Sequence, residues 1–145
     1  MKYYLIEGPL MNRVEQRDAA HYGTSGMSRD EMLQSLRLLA EQTNNTFDSF
    51  QSDIEGEIVS FIASTSDADG LIINVAGYTH TSVAIRDALE MRKLPVIECH
   101  LSRVFDREDF RKNSLINSVA TGVISGLGFL GYELALQALI ALGAE

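Results

Sequence analysis

The chain has 145 residues, of which 12 are Lys or Arg and 20 are Asp or Glu, so its formal net charge is −8. That length fits a single domain spanning residues 1–145. With 46% hydrophobic and 22% charged residues, the composition is ordinary for a globular protein and excludes disorder as the ground state. Because an acidic surface repels phosphate backbones, we expect no nucleic-acid partner.

Cysteine content and hydropathy predict the compartment. Cys99 is the single cysteine, so no disulfide can form within the chain. The first residues lack the long apolar core of a signal peptide. The apolar stretch at residues 129–142 is interrupted by Gly131, Glu133 and Gln137, and it is too short to span a bilayer. We therefore expect a cytoplasmic protein with no membrane partner.

The hydrophobic pattern predicts five strands that alternate with helices. Residues 3–6 form the first predicted strand, which ends at Gly8-Pro9. Residues 10–27 show no period and predict a long loop, which we interpret as a mobile lid. Ser28 and Glu31 fit a capping box at the start of a helix. The later predicted elements are a strand at 46–50, a helix at 58–65, a strand at 71–73, a helix from Ser82, a strand at 96–99, a charged and partly helical segment at 102–113, a strand at 120–124 and a helix at 127–142.

This alternation predicts an α/β fold, a flavodoxin-like doubly wound sheet of five parallel strands with helices on both faces. In such sheets ligands bind beyond the carboxyl ends of the strands. That rule selects residues 7–26, 51–55, 74–82 and 98–111 as the candidate site. The last helix is apolar nearly all round, which indicates subunit contacts there.

A glycine-rich segment near the end of the sequence allows an alternative functional hypothesis. Residues 126–131 match the pattern G-x-G-x-x-G of dinucleotide-binding proteins. Such a site also needs an acidic residue about 20 positions further on and another strand, and the sequence supplies neither before Glu145. We therefore expect these glycines to allow close packing of a helix on a strand or on another subunit.

Other functional classes are also disfavoured. A phospho-acceptor domain needs an aspartate where the third strand ends in Asn74, and a flavodoxin needs a phosphate loop where residues 10–14 stand. Cys99 and His100 are adjacent on a strand, point to opposite faces and cannot readily share a metal ion. Cys99 itself is expected to be a buried small hydrophobe rather than a nucleophile.

Three local features point to a site for a small anion. Glu98 and His100 lie on one face of a strand end, where a carboxylate can fix the imidazole tautomer. Asn74 and His80 flank the neighbouring strand-end loop, where buried polar groups require partners. Positive charges come from Arg17, beside Tyr22 in the predicted lid, and from Arg107 and Arg111.

Taken together, these segments resemble the type II 3-dehydroquinate dehydratases. The resemblance covers essentially the whole chain in order, through several separate motifs. The matching segments are Gly8-Pro9-Leu10-Met11-Asn12, Arg17, Tyr22-Gly23, Gln51-Ser52-Asp53-Ile54-Glu55-Gly56, Asn74, Tyr78-Thr79-His80-Thr81-Ser82, Arg86-Asp87, Glu98-Cys99-His100-Leu101-Ser102, Arg107-Glu108-Asp109-Phe110-Arg111, Ala120-Thr121-Gly122-Val123-Ile124 and the closing Gly126-Leu127-Gly128 with Gly131-Tyr132.

The resemblance implies a hydro-lyase that converts 3-dehydroquinate to 3-dehydroshikimate through an enolate, with no metal and no cofactor. It implies that Tyr22 is the base that takes a proton from C2 and that Arg17 activates it. It further implies that His100, oriented by Glu98, protonates the departing C1 hydroxyl. The implied substrate-binding residues are Asn74, His80, Asp87 (from a neighbouring subunit), Leu101, Ser102 and Arg111.

The implied chemistry is self-consistent. A free tyrosine titrates near ~10, and one close arginine in a water-poor pocket can lower that value. An imidazolium that titrates near ~6.5 is well matched to protonating a leaving hydroxyl. The family also implies a homododecamer built from trimers.

The sequence departs from the family pattern at Leu10 and Arg103, where the family favours asparagine. These two positions leave open an alternative, a non-catalytic or altered-substrate paralogue that binds a related small carboxylic acid.

Overall fold

The computed structural model describes residues 1–23 and 26–144. Its centre is a five-stranded parallel sheet with the strand order β2-β1-β3-β4-β5, the order expected of a flavodoxin-like fold. The predicted fold class is therefore confirmed. The strands are β1 (Lys2–Glu7), β2 (Thr46–Gln51), β3 (Gly70–Asn74), β4 (Val96–His100) and β5 (Gly122–Ser125).

Helices connect the first four strands, and a final helix follows β5. They are α1 (Ala19–Tyr22), α2 (Arg29–Gln42), α3 (Glu55–Ser64), α4 (Val83–Arg92) and α5 (Leu130–Gly143). The predicted capping box is present at the start of α2, where Ser28 Oγ accepts from Glu31 N at 3.1 Å and Glu31 Oε2 accepts from Ser28 N at 2.8 Å.

Two hydrophobic cores lie on opposite faces of the sheet. On one face α2 and α5 cover inward side chains such as Leu5, Ile72 and Cys99. On the other face α3 and α4 cover their neighbours in the strands, such as Ile6 and Ile73. Because successive strand residues face opposite ways, one apolar run serves both cores.

The register places polar residues together at the carboxyl edge of the sheet. Glu7, the last residue of β1, pairs with both Gln51 and Asn74, the last residues of β2 and β3. His100 ends β4 opposite Ser125. The strand-end segments selected from the sequence therefore converge on one edge.

The predicted loop at residues 10–27 is partly wrong. Met11–Gln16 forms a 3-10 helix and Ala19–Tyr22 forms α1, which Asp18 caps by accepting from Ala20 N at 2.9 Å. The helices were missed because they are only six and four residues long and leave no hydrophobic period. Residues 24 and 25 lie outside the described residues, and the mobility of the lid stays a prediction.

The final helix begins later than predicted, at Leu130 instead of residue 127. Gly126 and Gly128 have φ values of 92° and 57°, which are not helical, so residues 126–129 form a turn. A Cβ at Gly131 would lie 3.1 Å from the Cys99 Sγ, and this confirms the predicted close packing of helix on strand. Similarly, β5 begins at Gly122 instead of residue 120, because Asn117–Val119 forms a 3-10 turn before it.

None of the helices within the described part of the chain is long and apolar enough to cross a membrane.

Candidate active site

A narrow cleft of about 20 Å³ lies at the carboxyl edge of the sheet. Most of the site residues expected from the sequence line it, from both the lid and the strand ends. These are Arg17, Tyr22, Asn74, His80, His100, Leu101, Ser102 and Arg111.

His100 is held at the base of the cleft by a buried carboxylate. Its Nε2 lies 2.7 Å from Oε1 of Glu98, and both side chains are almost fully buried. Oε1 of Glu98 also accepts from Ser114 Oγ at 2.6 Å, which fixes the carboxylate in turn. The ring nitrogen that remains for a ligand is therefore Nδ1. Phe105 packs edge-on against the ring, with 6.2 Å between the centroids.

Tyr22 reaches the cleft from the lid and is flanked by two guanidinium groups. Arg107 Nη1 donates to the Tyr22 hydroxyl oxygen at 2.5 Å. The Cζ of Arg17 lies 3.9 Å from the centroid of the Tyr22 ring. Both guanidinium groups are close enough to the tyrosine for their positive charges to stabilise negative charge on the phenol oxygen.

Polar groups line the opposite wall of the cleft. Asn74 ends β3 and is buried, and His80 follows in the adjoining 3-10 turn. Nδ1 of His80 lies 2.8 Å from the carbonyl oxygen of Asn113, so it donates there and leaves Nε2 for a ligand. Arg111 is mostly buried and pairs with Glu108 Oε2 at 2.7 Å.

The turn after β4 supplies the remaining wall. Leu101 and Ser102 are both buried, and their carbonyl oxygens accept from Gly128 N at 3.0 Å and Ser125 Oγ at 3.1 Å. Ser102 Oγ accepts from Arg107 Nη1 at 3.4 Å. Arg107 therefore bridges the expected base and the expected carboxylate-binding turn.

Two expected site residues do not line the cleft. Glu98 lies behind His100, to which it is hydrogen-bonded. Asp87 lies on α4, mostly exposed, and accepts from Arg86 Nη1 at 2.7 Å. Its role in the site of a neighbouring subunit stays a prediction.

Sequence reasoning noted Arg107 as a local cation but did not assign it to the site. Its proximity to Tyr22 depends on how the lid folds back over the sheet, and no local pattern reports that. The sequence feature that could have identified Arg107 as a site residue is its position in the motif at residues 107–111, which also supplies Arg111.

The departures at Leu10 and Arg103 lie outside the cleft lining. The Leu10 side chain is about half exposed, and its backbone has a left-handed φ of 67°. The Arg103 side chain is largely exposed and forms an ion pair with Asp106.

Cys99 is buried in the sheet, and burial raises the pKa of its thiol well above the ordinary range. It is therefore a structural residue, as expected. Across residues 1–23 and 26–144, His, Cys, Asp and Glu side chains form no group of three that could hold a metal ion.

The family model for class II dehydroquinases matches residues 1–140. The chain belongs to this family. It is 48% identical over 141 residues to 3-dehydroquinate dehydratase of Campylobacter jejuni subsp. jejuni, covering 97% of this chain and 87% of that protein. It is 43% identical over 140 residues to 3-dehydroquinate dehydratase of Wolinella succinogenes, covering 96% and 83%. The crystal structure of the type II dehydroquinase from Butyrivibrio crossotus superposes with a TM-score of 0.89 at 35% identity, covering 96% of this chain and 97% of that one.

Membership of the dehydroquinase family agrees with the architecture. The resemblance drawn from the sequence motifs is confirmed at the level of family and fold.

Proposed function

We propose that this dehydroquinase-family chain dehydrates 3-dehydroquinate to 3-dehydroshikimate, with Tyr22 as base and His100 as acid. The observation that carries the proposal is that both side chains line one cleft, each beside a group that supports its role. Arg17 and Arg107 flank Tyr22, and Glu98 holds His100.

In the first step the Tyr22 phenolate takes a proton from C2, next to the ketone of the substrate. The electron pair of the broken C–H bond moves toward the ketone oxygen and builds an enolate. Arg107 and Arg17 stabilise the phenolate before this transfer. Hydrogen-bond donors preorganised in the cleft would stabilise the enolate oxygen.

In the second step the enolate collapses and expels the C1 hydroxyl. The proton for that oxygen comes from His100, so the group leaves as water. Because Nε2 of His100 is turned to Glu98, the proton would be delivered from Nδ1. Glu98 stabilises the charged imidazolium before the transfer and fixes the orientation of the ring.

The remaining groups hold the ring in place. Asn74, His80 and Arg111 would bind ring hydroxyls or an ordered water. The backbone and hydroxyl of Leu101 and Ser102 would receive the substrate carboxylate, and Arg107 adds a positive charge at that turn.

The direct test is the ultraviolet absorbance of the conjugated product when the purified chain is mixed with 3-dehydroquinate. We expect turnover by the wild type and a loss of roughly 10²–10⁴-fold in kcat for Tyr22→Phe and for His100→Ala. His21→Ala is the matched control, because His21 neighbours Tyr22 in α1 but does not line the cleft. No product from the wild type, or undiminished rates in both variants, would reject the proposal.

The proposal includes assembly into a homododecamer of trimers, with Asp87 reaching the site of a neighbouring subunit. An exposed Asp87 on α4, beside the apolar Ala84, Ala88 and Met91, suits such a contact. Light scattering should give about twelve times the 16.0 kDa of one chain. A mass near that of the monomer would contradict the assembly.

The alternative of a non-catalytic or altered-substrate paralogue rested on Leu10 and Arg103. Because neither lines the cleft, no structural observation favours it over the dehydratase.

A further inference from the structure

We infer that Tyr132 and Glu7 form a buried relay that positions the amide of Asn74 in the cleft. The inference rests on the proposed function, because Asn74 matters there as a group that holds the substrate. It adds two positioning residues that touch no substrate.

Two carboxylates are buried in the described part of the chain, Glu7 and Glu98. Glu98 orients His100. Glu7 ends β1, two strands away from β4 in the sheet, and the proposed chemistry leaves it without a role. Burying an ion pair is costly, and apolar residues of similar volume commonly serve stability as well or better. A buried charge near the cleft is therefore a candidate for a positioning role.

The hydrogen bonds run without a gap from Glu7 to the cleft. Glu7 Oε1 accepts from the Tyr132 hydroxyl at 3.0 Å, and that hydroxyl accepts from Asn74 Nδ2 at 2.7 Å. Arg29, the first residue of α2, donates from Nε to Glu7 Oε2 at 2.9 Å and forms an ion pair with it through Nη2. All three members of the relay, Glu7, Tyr132 and Asn74, are buried.

The chemistry of an ionised carboxylate sets the direction of this relay. Such a carboxylate only accepts, so the Tyr132 proton must point at Glu7. The Tyr132 oxygen then has lone pairs left to accept from the NH₂ of Asn74. This fixes which end of the amide faces Tyr132 and turns Oδ1 toward the backbone of the next turn, where Ala76 N lies 3.4 Å away. Because that second contact is long, Tyr132 is the main restraint on the amide.

Burial raises the pKa of both acidic groups in the relay. It raises the pKa of the Glu7 carboxyl, while Arg29 and Tyr132 oppose that shift. The pKa of the Tyr132 phenol is raised well above 10.0, again by burial first and then by the nearby Glu7 charge. Tyr132 therefore keeps its proton and serves as a fixed donor to Glu7.

The test is a double-mutant cycle between Tyr132→Phe and Asn74→Ala, read as kcat/KM for 3-dehydroquinate. If Tyr132 acts through Asn74, Tyr132→Phe lowers kcat/KM about tenfold in the wild-type background and by less than twofold in the Asn74→Ala background. An equal loss in both backgrounds would mean a general structural role and would overturn the inference.

Tyr3→Phe is the matched control. It also removes a buried tyrosine hydroxyl that contacts α5, through Leu139 O at 3.4 Å, but it lies far from the cleft. We expect its kcat/KM to stay within twofold of the wild type.

Glu7→Gln tests the direction of the hydrogen bonds in the relay. It also replaces Tyr132→Phe as the test variant if Tyr132→Phe does not fold. In the Glu7→Gln variant the side-chain amide has one oxygen, which is needed to accept from Arg29. The NH₂ of the same amide then faces Tyr132 and donates to its hydroxyl oxygen. The Tyr132 hydroxyl must therefore turn its own proton toward Asn74. We expect a loss in kcat/KM that disappears in the Asn74→Ala background. Persistence of the full loss there would overturn the inference.

Crystal structures separate this inference from the proposed function. The inference expects the Asn74 side chain to rotate or become disordered in Tyr132→Phe and to keep its place in Tyr3→Phe. If the wild type turns over no 3-dehydroquinate, the proposed function fails, but this comparison still decides the positioning. An Asn74 amide that is unmoved in Tyr132→Phe refutes the relay, whatever the activity.

Discussion

The hydroxyl of Tyr22 accepts a hydrogen bond from Arg107, a residue 85 positions further along the chain. The two residues are in contact because the lid folds back over the carboxyl edge of the sheet and packs against the segment that follows β4. Arg17 lies against the ring of the same tyrosine. The expected base is therefore held by one cation from its own segment and one from across the cleft.

This relationship predicts that Arg107 contributes to the rate. Arg107→Ala removes the donor to the phenol oxygen and should lower kcat by roughly 10²-fold, as loss of a charge-stabilising group commonly does. Steady-state kinetics with 3-dehydroquinate measures the effect. Arg103→Ala is the control, because the Arg103 side chain is exposed and pairs with Asp106 outside the cleft. Equal kcat values for the two variants would show that Arg107 has no role in the chemistry.

The fold was predictable because its determinants are local. Most strands are short apolar runs, although β2 is not, and alternation with helices leaves few parallel topologies. The sequence also predicted the part of the site that lies at or just after strand ends, such as Asn74, His100 and Ser102. Arg107 was not assigned, since its contact with Tyr22 depends on the path of the lid. The relay through Glu7 and Tyr132 was also missed, because it joins the ends of β1 and β3 to a helix 125 residues beyond Glu7.

Leu10 has an unfavourable backbone conformation, with a φ of 67°. Asparagine tolerates the left-handed region better than leucine does. We expect Leu10→Asn to raise the free energy of unfolding by about 1 kcal/mol, measured by chemical denaturation at fixed protein concentration. The bond from Leu10 N to Asp53 Oδ1, at 2.9 Å, uses the backbone and should persist.

The control for this prediction is Leu38→Asn. Leu38 is about as exposed as Leu10 but lies within α2, where asparagine is a poorer helix former than leucine. The two substitutions should therefore change stability in opposite directions. Destabilisation by Leu10→Asn would show that contacts of the leucine side chain outweigh the backbone strain.

The two carboxylates that contact Arg29 should respond to pH with opposite signs. Burial raises the pKa of Glu7 above its ordinary value of 4.5, so the folded state binds that proton more tightly than the unfolded state does. Relative to Glu7→Gln, the wild type should gain stability as the pH falls through the window between the raised folded value and 4.5. Above that window the difference between the two proteins should be constant.

Glu15 provides the opposite case. A backbone hydrogen bond from Arg29 N, at 2.7 Å, lowers the pKa of the Glu15 carboxyl. Relative to Glu15→Gln, the wild type should lose stability as the pH falls from the unfolded value through the lowered folded one. Denaturation of the three proteins across a pH series at one protein concentration measures both trends. Trends of the same sign would refute the assignment of burial as the dominant effect at Glu7.

Gly128 is the point where the lid packs on the turn before α5. Its φ is 57°, and a Cβ there would lie 2.7 Å from the carbonyl oxygen of Gly23, the residue directly after Tyr22. Gly128→Ala should therefore displace the lid and lower kcat/KM by about tenfold, since small misplacements of catalytic groups are costly.

Gly126→Ala is the matched control. Its φ is 92°, and the added Cβ would lie 2.5 Å from Cγ of Arg103, which is not part of the lid. Both variants should lose stability, by roughly 1–2 kcal/mol from the left-handed backbone, but Gly128→Ala alone should lose activity. Equal kcat/KM values would mean that contact with Gly128 does not position Tyr22.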